Sequence, residues 1–486
     1  MLLPGRPDPT TFEYVEMIAL REPQRLALVQ DNSSWNYHEL HADLARAIRV
    51  LHETGVRRGD RVAVGMSGFQ AGLLLLLACE SLGAATLSFL PKDDPDGAHV
   101  FAHVDWVFSD FAQEPPAHVR FVAIDDEFVK RIAAAEPADA APLPCAPLAF
   151  DEPQRISRTS GSTGRSKFMV LKRQAQEWWI RRSMTTGTLR PDSRTMLLGS
   201  LVLNANLVAA SAGLRMGAAA LQFPRAALAA HDITHILGLP SMIEQVLDSL
   251  PPGYSPRVPV DVTTTGGFQS APLRERATRA FGGRMRNRYG ANETGGICED
   301  MDTRGTGVLG AGVDVRIVDE AGRELPQGRI GVIAVRTPGM AEEYIGEPEV
   351  SKAAFRDGWF YSGDWGTLVG PRTLQLAGRH DDLVNAGGIK VPAATVESRV
   401  RELVHPADCA VLAVNLDAGA TTLGIALVCD TNDRDGTRRS IANGLDLGAA
   451  LGARVIFLER LPRTDIGKID RVALHAMFQS PPRAAL

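Results

Sequence analysis

The sequence has no excess of basic charge, no long apolar run and no closely spaced cysteines, and each absence removes a class of function. Its 486 residues carry 52 Lys and Arg against 57 Asp and Glu, a net charge of -5, so no broad cationic face for nucleic acid is expected. The longest apolar run, Ala71 to Cys79, stops at Glu80 and falls short of the ~20 residues that cross a bilayer. It predicts a buried helix instead. The start, Met1 to Tyr14, is broken by Pro4, Pro7 and Pro9 and lacks the basic-then-apolar order of an export signal, so a cytoplasmic protein is expected. Five cysteines (Cys79, Cys145, Cys298, Cys409, Cys429) are odd in number and scattered, without a C-x-x-C pair. That predicts reduced thiols and no structural zinc.

What is present is the composition of a large globular chain, 45% hydrophobic and 22% charged, too long for a single core. Leu26 to Gln30 predicts a strand, and Leu40, Leu44, Ile48 and Leu51 then recur at helical spacing, with Gly55 placed to end the helix. Arg61 to Val64, Trp106 to Ser109 and Arg120 to Ile124 continue a βα rhythm, which implies sheets covered by helices. Ala133 to Pro147, nearly all Ala and Pro, predicts a surface connection. A second βα region follows, with strand Ile236 to Leu239, a helix from Ser241 to Leu250 capped by its serine, and strand Asp261 to Thr265 ending in Gly266-Gly267. After Gly305 short alternating segments (Val313 to Val318, Gly331 to Arg336, Thr373 to Leu376) predict a small antiparallel β unit. Residues 377–486, with a helix at Ala394 to Leu403 and strands at Cys409 to Val414 and Leu423 to Val428, suffice for a separate α+β domain after a core of 1–376.

The segment Thr159-Ser160-Gly161-Ser162-Thr163-Gly164-Arg165-Ser166-Lys167 combines hydroxyls, two glycines and two cations. Glycines admit backbone N–H groups to phosphate oxygens, hydroxyls donate to them, and lysine adds charge. Taken alone, an ordinary polar loop would look the same. It is not a Walker loop, because Gly161 and Gly164 are only three apart and no glycine precedes Lys167. Further along stand Tyr289-Gly290-Ala291-Asn292-Glu293, a Ser362-Gly363-Asp364 turn, Gly378-Arg379-His380-Asp381-Asp382 and Leu461-Pro462-Arg463-Thr464-Asp465-Ile466-Gly467-Lys468. Individually these read as turns, a solvated linker and a surface lysine.

Together and in this order, they resemble the adenylate-forming acyl and aryl ligases, the superfamily of acyl-CoA synthetases, nonribosomal peptide adenylation domains and luciferases. The resemblance implies a large α/β N-terminal domain of two βα-layered subdomains with a small β-barrel-like unit, followed by a small mobile α+β domain. It implies that the loop from Thr159 to Lys167 wraps the phosphates of ATP, with Ser166 and Phe168 standing where the family has proline and glycine. It implies that Tyr289 stacks on adenine beside Gly266 and Gly267, that Gly290 belongs to the same turn, that Asn292 takes a position usually held by threonine, and that Glu293 holds Mg2+. One or two protein carboxylates satisfy that ion, phosphate and water supplying the rest. By the same resemblance Asp364 and Arg379 reach the ribose, Asp381 is the hinge, Lys468 meets the charge on the α-phosphate, and Gly388 lines the path of a thiol. Gly387 and Gly388 would equally serve as a hairpin turn.

The implied reaction joins a carboxylic acid to ATP as an acyl adenylate, then passes the acyl group to a thiol. No residue between Met196 and Leu214 is charged, which disfavours a free α-amino acid, since its ammonium would lack a partner. Asn204 and Asn206 are substrate-binding candidates that either meet a polar substituent or satisfy backbone groups. With 15 residues after Arg471, the thiol is expected in trans. Coenzyme A comes first and the phosphopantetheine of a separate acyl carrier protein second. A non-catalytic acyl or nucleotide sensor is the reading from a different class, and retention of Lys468, Glu293 and Asp364 speaks against it.

Overall fold

A computed structural model describes residues 8–90, 98–112, 114–137, 141–159, 167–186, 189–224, 228, 232–267, 269–319, 321–379, 383–386, 389–415, 421–431, 433–445, 453–463 and 469–479. The chain packs as two compact units, Met1–Ile297 with Arg336–Gly358, and Cys298–Val335 with Trp359–Leu486.

The first unit holds two sheets. One runs Gly282–Ala291, Val260–Thr265, His235–Gly238, Arg194–Leu197, Ala219–Gln222, Leu26–Gln30, Ser33–Asn36 in spatial order, parallel except for its last pair. The other runs Arg120–Ala123, Trp106–Ser109, Arg61–Gly65, Ala85–Ser88, Pro153–Thr159, Lys167–Lys172, again parallel until a final antiparallel pair. Helix Tyr37–Thr54 begins with Asn36 and Glu39 in a reciprocal capping box and ends at Gly55 with φ 117, a left-handed position that glycine occupies without strain. Leu40, Leu44, Ile48 and Leu51 are fully buried on one face, as their spacing predicts. The apolar helix Phe69–Ser81 has no polar face, as expected of an enclosed helix. Its Leu73 to Leu77 join a core that takes Leu28 and Ala220 from one sheet and Val62 and Phe108 from the other.

The second unit combines an antiparallel ladder, Asp314–Val318, Gly331–Arg336, Trp359–Gly370, Thr373–Arg379, Thr306–Leu309, with an α+β part. There Asp408–Asn415, Thr421–Val428 and Arg454–Phe457 form a sheet against helix Ala393–Val404, burying Val396, Val400, Val411 and Ile425. All five cysteines are free thiols. Among the described residues no helix is long and apolar enough to cross a membrane.

Two local expectations need correction. The helix expected from Ser241 is Pro240–Asp248, its cap is Leu239, and Ser241 makes no capping bond. Proline wins the first turn because its φ is already helical and its missing N–H would be unpaired there anyway. Ser362-Gly363-Asp364 is not a free turn but lies inside strand Trp359–Gly370, bent where Gly363 takes φ 72.

Candidate active site

Open α/β sheets bind ligands beyond the carboxyl ends of their strands, where neighbouring connections depart in opposite directions. Strand Arg194–Leu197 leads through helix Asn204–Met216 to its neighbour on one side, whereas His235–Gly238 leads through Pro240–Asp248 to Val260–Thr265 on the other. The crevice therefore opens beyond Leu197 and Gly238. Register sets Gly238 beside Thr264 and Thr265 beside Arg288, so Leu239-Pro240, Gly266-Gly267 and Tyr289-Gly290 emerge in a row. Gly266 has φ +74, and a Cβ there would stand 3.0 Å from Leu239. At Gly290 a Cβ would lie 2.5 Å from the Gly295 carbonyl oxygen, so the turn into Glu293 requires glycine. Beneath the row Gln269 Nε2 donates to Thr264 Oγ1 at 3.0 Å and Thr264 Oγ1 to Asn287 Oδ1 at 3.1 Å. This buried network ties two strand ends together, and no motif announced it.

The phosphate-binding candidate is flanked by two antiparallel strands, Pro153–Thr159 and Lys167–Lys172. Thr159 and Lys167 pair across them, while Ser160, Gly161, Ser162, Thr163 and Gly164 lie outside the described residues. Asn292 Nδ2 donates to the carbonyl of Arg158 at 2.8 Å, which fastens the turn carrying Glu293 to the first of those strands. Glu293 is 8% exposed. Its Oε1 accepts a hydrogen bond from the Tyr344 hydroxyl at 2.7 Å, and Lys167 Nζ lies 5.1 Å from the centroid of the Tyr344 ring. Lys167 and Glu293, far apart in sequence, thus meet at a tyrosine that carries no sequence signature. A buried carboxylate held by a phenol suits a hard cation such as Mg2+. Phe168, where the family has glycine, is 5% exposed. Its carbonyl accepts from Ile345 N at 2.7 Å, and its ring centroid lies 4.7 Å from that of His103, so the outgoing strand is anchored by a packed side chain. Burial, and then the nearby Arg61 charge, hold the His103 pKa below the usual histidine range.

Asn206 sits at the crevice with its amide nitrogen engaged by the backbone. Its Nδ2 donates to Leu198 O at 3.0 Å and Ser200 O at 3.1 Å, the backbone-satisfying alternative left open by the sequence. Asn204 exchanges two hydrogen bonds with Gln176, at 3.3 and 3.2 Å, and both asparagines are 2% exposed. Gln176 is a further residue that the sequence reading missed.

In the second unit Asp364 stands opposite Arg379 in the antiparallel ladder. Asp364 N donates to Ser362 Oγ at 3.1 Å, and Ser362 Oγ donates to Ile333 O at 3.1 Å, which fixes the bend that presents the carboxylate. Asp381, Gly388 and Lys468 lie outside the described residues. Strands Leu383–Ala386 and Ile389–Pro392 pair antiparallel with Ala386 opposite Ile389. Arg463 and Ile469 form an antiparallel bridge, and Asp470 N donates to Pro462 O at 2.9 Å.

Residues 15–345 match the family profile of the AMP-binding enzymes. A feruloyl-CoA synthase of Amycolatopsis sp is 30% identical, the match covering 95% of this chain and 97% of that protein. The chain belongs to the adenylate-forming family of AMP-binding enzymes. An adenylate-forming enzyme of this class activates a carboxylic acid with ATP to an acyl adenylate, as an AMP-forming acid-thiol ligase. A 3-hydroxybenzoate/4-hydroxybenzoate–CoA ligase of Thauera aromatica is 26% identical over 94% of both chains. Among solved structures, ATP-bound MatB from Rhodopseudomonas palustris shares the fold with TM-score 0.83, at 23% identity over 97% of this chain and 99% of that one.

Proposed function

We propose that this adenylate-forming enzyme couples an acyl or aryl carboxylic acid with an uncharged tail to coenzyme A. The observation that carries the reading is the meeting of Lys167 and Glu293 at Tyr344, with Asn292 fastening the Glu293 turn to Arg158 at the start of the phosphate-binding candidate. In it, the loop from Thr159 to Lys167 holds the β- and γ-phosphates, Tyr289 with Gly266 and Gly267 bounds the adenine, and Asp364 with Arg379 takes the ribose hydroxyls. A carboxylate suits vicinal hydroxyls because it only accepts hydrogen bonds. Magnesium, when bound at Glu293, would screen the phosphate charge that opposes an attacking carboxylate. Lys468, carried by a mobile domain of residues 377–486 turning about Asp381, neutralises charge on the α-phosphate as pyrophosphate leaves. The same rotation brings Gly388 to the path of the incoming thiol.

The neutral tail is supported by the uncharged stretch from Met196 to Leu214 and by relatives named for ferulate and hydroxybenzoates. Those names favour coenzyme A as acceptor. Pyrophosphate exchange over a panel of aryl, acyl and amino acids tests the first half-reaction, with exchange expected for aryl or acyl acids and none for amino acids. Absence of exchange with every acid would leave the sensor reading standing. Thioester formation with free coenzyme A is expected next. Turnover only with micromolar carrier protein would transfer the second half-reaction to that partner.

A further inference from the structure

We infer that Tyr344 is a positioning residue that sets the Glu293 carboxylate and the Lys167 ammonium in one geometry, so that metal and phosphate are gripped together. The inference rests on the reading of Glu293 and Lys167 given above. Tyr344 is 6% exposed and fixed on several sides. Its N donates to Ser351 Oγ at 2.9 Å, its backbone bridges Met169, and its ring meets Phe355 edge-on at 5.3 Å. Next to it Ile345 N donates to Phe168 O at 2.7 Å, and three residues earlier Ala341 N donates to Glu293 O at 2.7 Å. The segment from Ala341 to Ile345 is thereby stitched on one side to the backbone of Glu293 and on the other to the strand that begins at Lys167.

From that fixed base the phenol acts in two directions. Its hydroxyl, 2.7 Å from Glu293 Oε1, orients the carboxylate, an acceptor-only group of the kind a hard cation prefers. Its ring face, 5.1 Å from Lys167 Nζ, attracts the ammonium and narrows where it rests. Phenylalanine would keep the second action and lose the first; leucine would lose both.

The test is calorimetric binding of ATP and of AMP to the full chain across a magnesium titration, with melting temperatures as a check on folding. Tyr344→Phe is expected to raise the magnesium needed for half-maximal ATP binding roughly tenfold, with metal-free AMP affinity within about twofold of wild type. Tyr344→Leu should in addition weaken ATP severalfold at saturating magnesium. In a Glu293→Gln background, Tyr344→Phe should change the magnesium requirement by less than about twofold, because the two groups act as one. An unaltered magnesium requirement in Tyr344→Phe, equal losses of ATP and AMP binding, or additive effects in the double variant would each overturn the inference. If Glu293→Gln itself leaves the magnesium requirement unchanged, the assignment of Glu293 fails and this inference falls with it; a changed Glu293→Gln with an unchanged Tyr344→Phe removes only the role of the tyrosine.

Discussion

A single hydroxyl can decide how two elements meet. Tyr37, fully buried at the start of helix Tyr37–Thr54, places its oxygen 2.9 Å from both Leu214 O and Ala218 O, and burial pushes its pKa well above the usual tyrosine value. Burial thus favours the neutral, donating form of the hydroxyl. Tyr37→Phe keeps the ring volume and strands a buried carbonyl, which should lower stability by roughly 1–3 kcal/mol, read as a reduced calorimetric melting midpoint with unchanged nucleotide affinity. At Lys468 the expectation is the opposite. Lys468→Ala should leave the melting midpoint in place and lower adenylate formation by roughly two orders of magnitude, while thioester formation from supplied acyl adenylate persists. Equal loss of both steps would contradict the role given to the lysine.

Helices Arg173–Thr185 and Asn204–Met216 are joined by a buried ion pair, Arg215 to Glu177 at 2.6 and 2.8 Å, with Arg215 Nε also donating to Thr11 at 2.9 Å. Such a pair gains little over apolar packing, but breaking one side leaves an unpaired charge in the core. Glu177→Leu alone should cost about 3–5 kcal/mol, and Glu177→Leu with Arg215→Met much less; thermal denaturation of both variants checks the contrast. This element pair also marks what the sequence could convey. Strand and helix periods and Gly55 were legible because they depend on neighbours a few residues away. The polar segment from Thr159 to Lys167 was legible as a contiguous motif, whereas the paired strands that flank it, Pro153–Thr159 and Lys167–Lys172, were not. The ion pair, the Asn204–Gln176 exchange and Tyr344 depend on residues brought together by tertiary packing, and no local spacing encodes them. Ser241 lost its cap role because the proline one residue earlier had the stronger local claim on the helix start.

For the whole molecule, the proposed alternation of two half-reactions predicts an asymmetric variant. Proline fixes φ, so Asp381→Pro should leave pyrophosphate exchange largely intact and depress thioester formation; full thioester turnover in that variant would remove the hinge. The location of the crevice carries another consequence. Because it opens beyond the strand ends, the segments that border it, Leu198 to Leu203 and Leu239 to Met242, are connections rather than ladder residues, although the Asn206 amide pins two carbonyls of the first. On the proposed reading, choice of acid can thus be rewritten, by evolution or by an engineer, through side chains on those two connections, leaving the parallel sheet and the residues proposed to handle ATP as inherited.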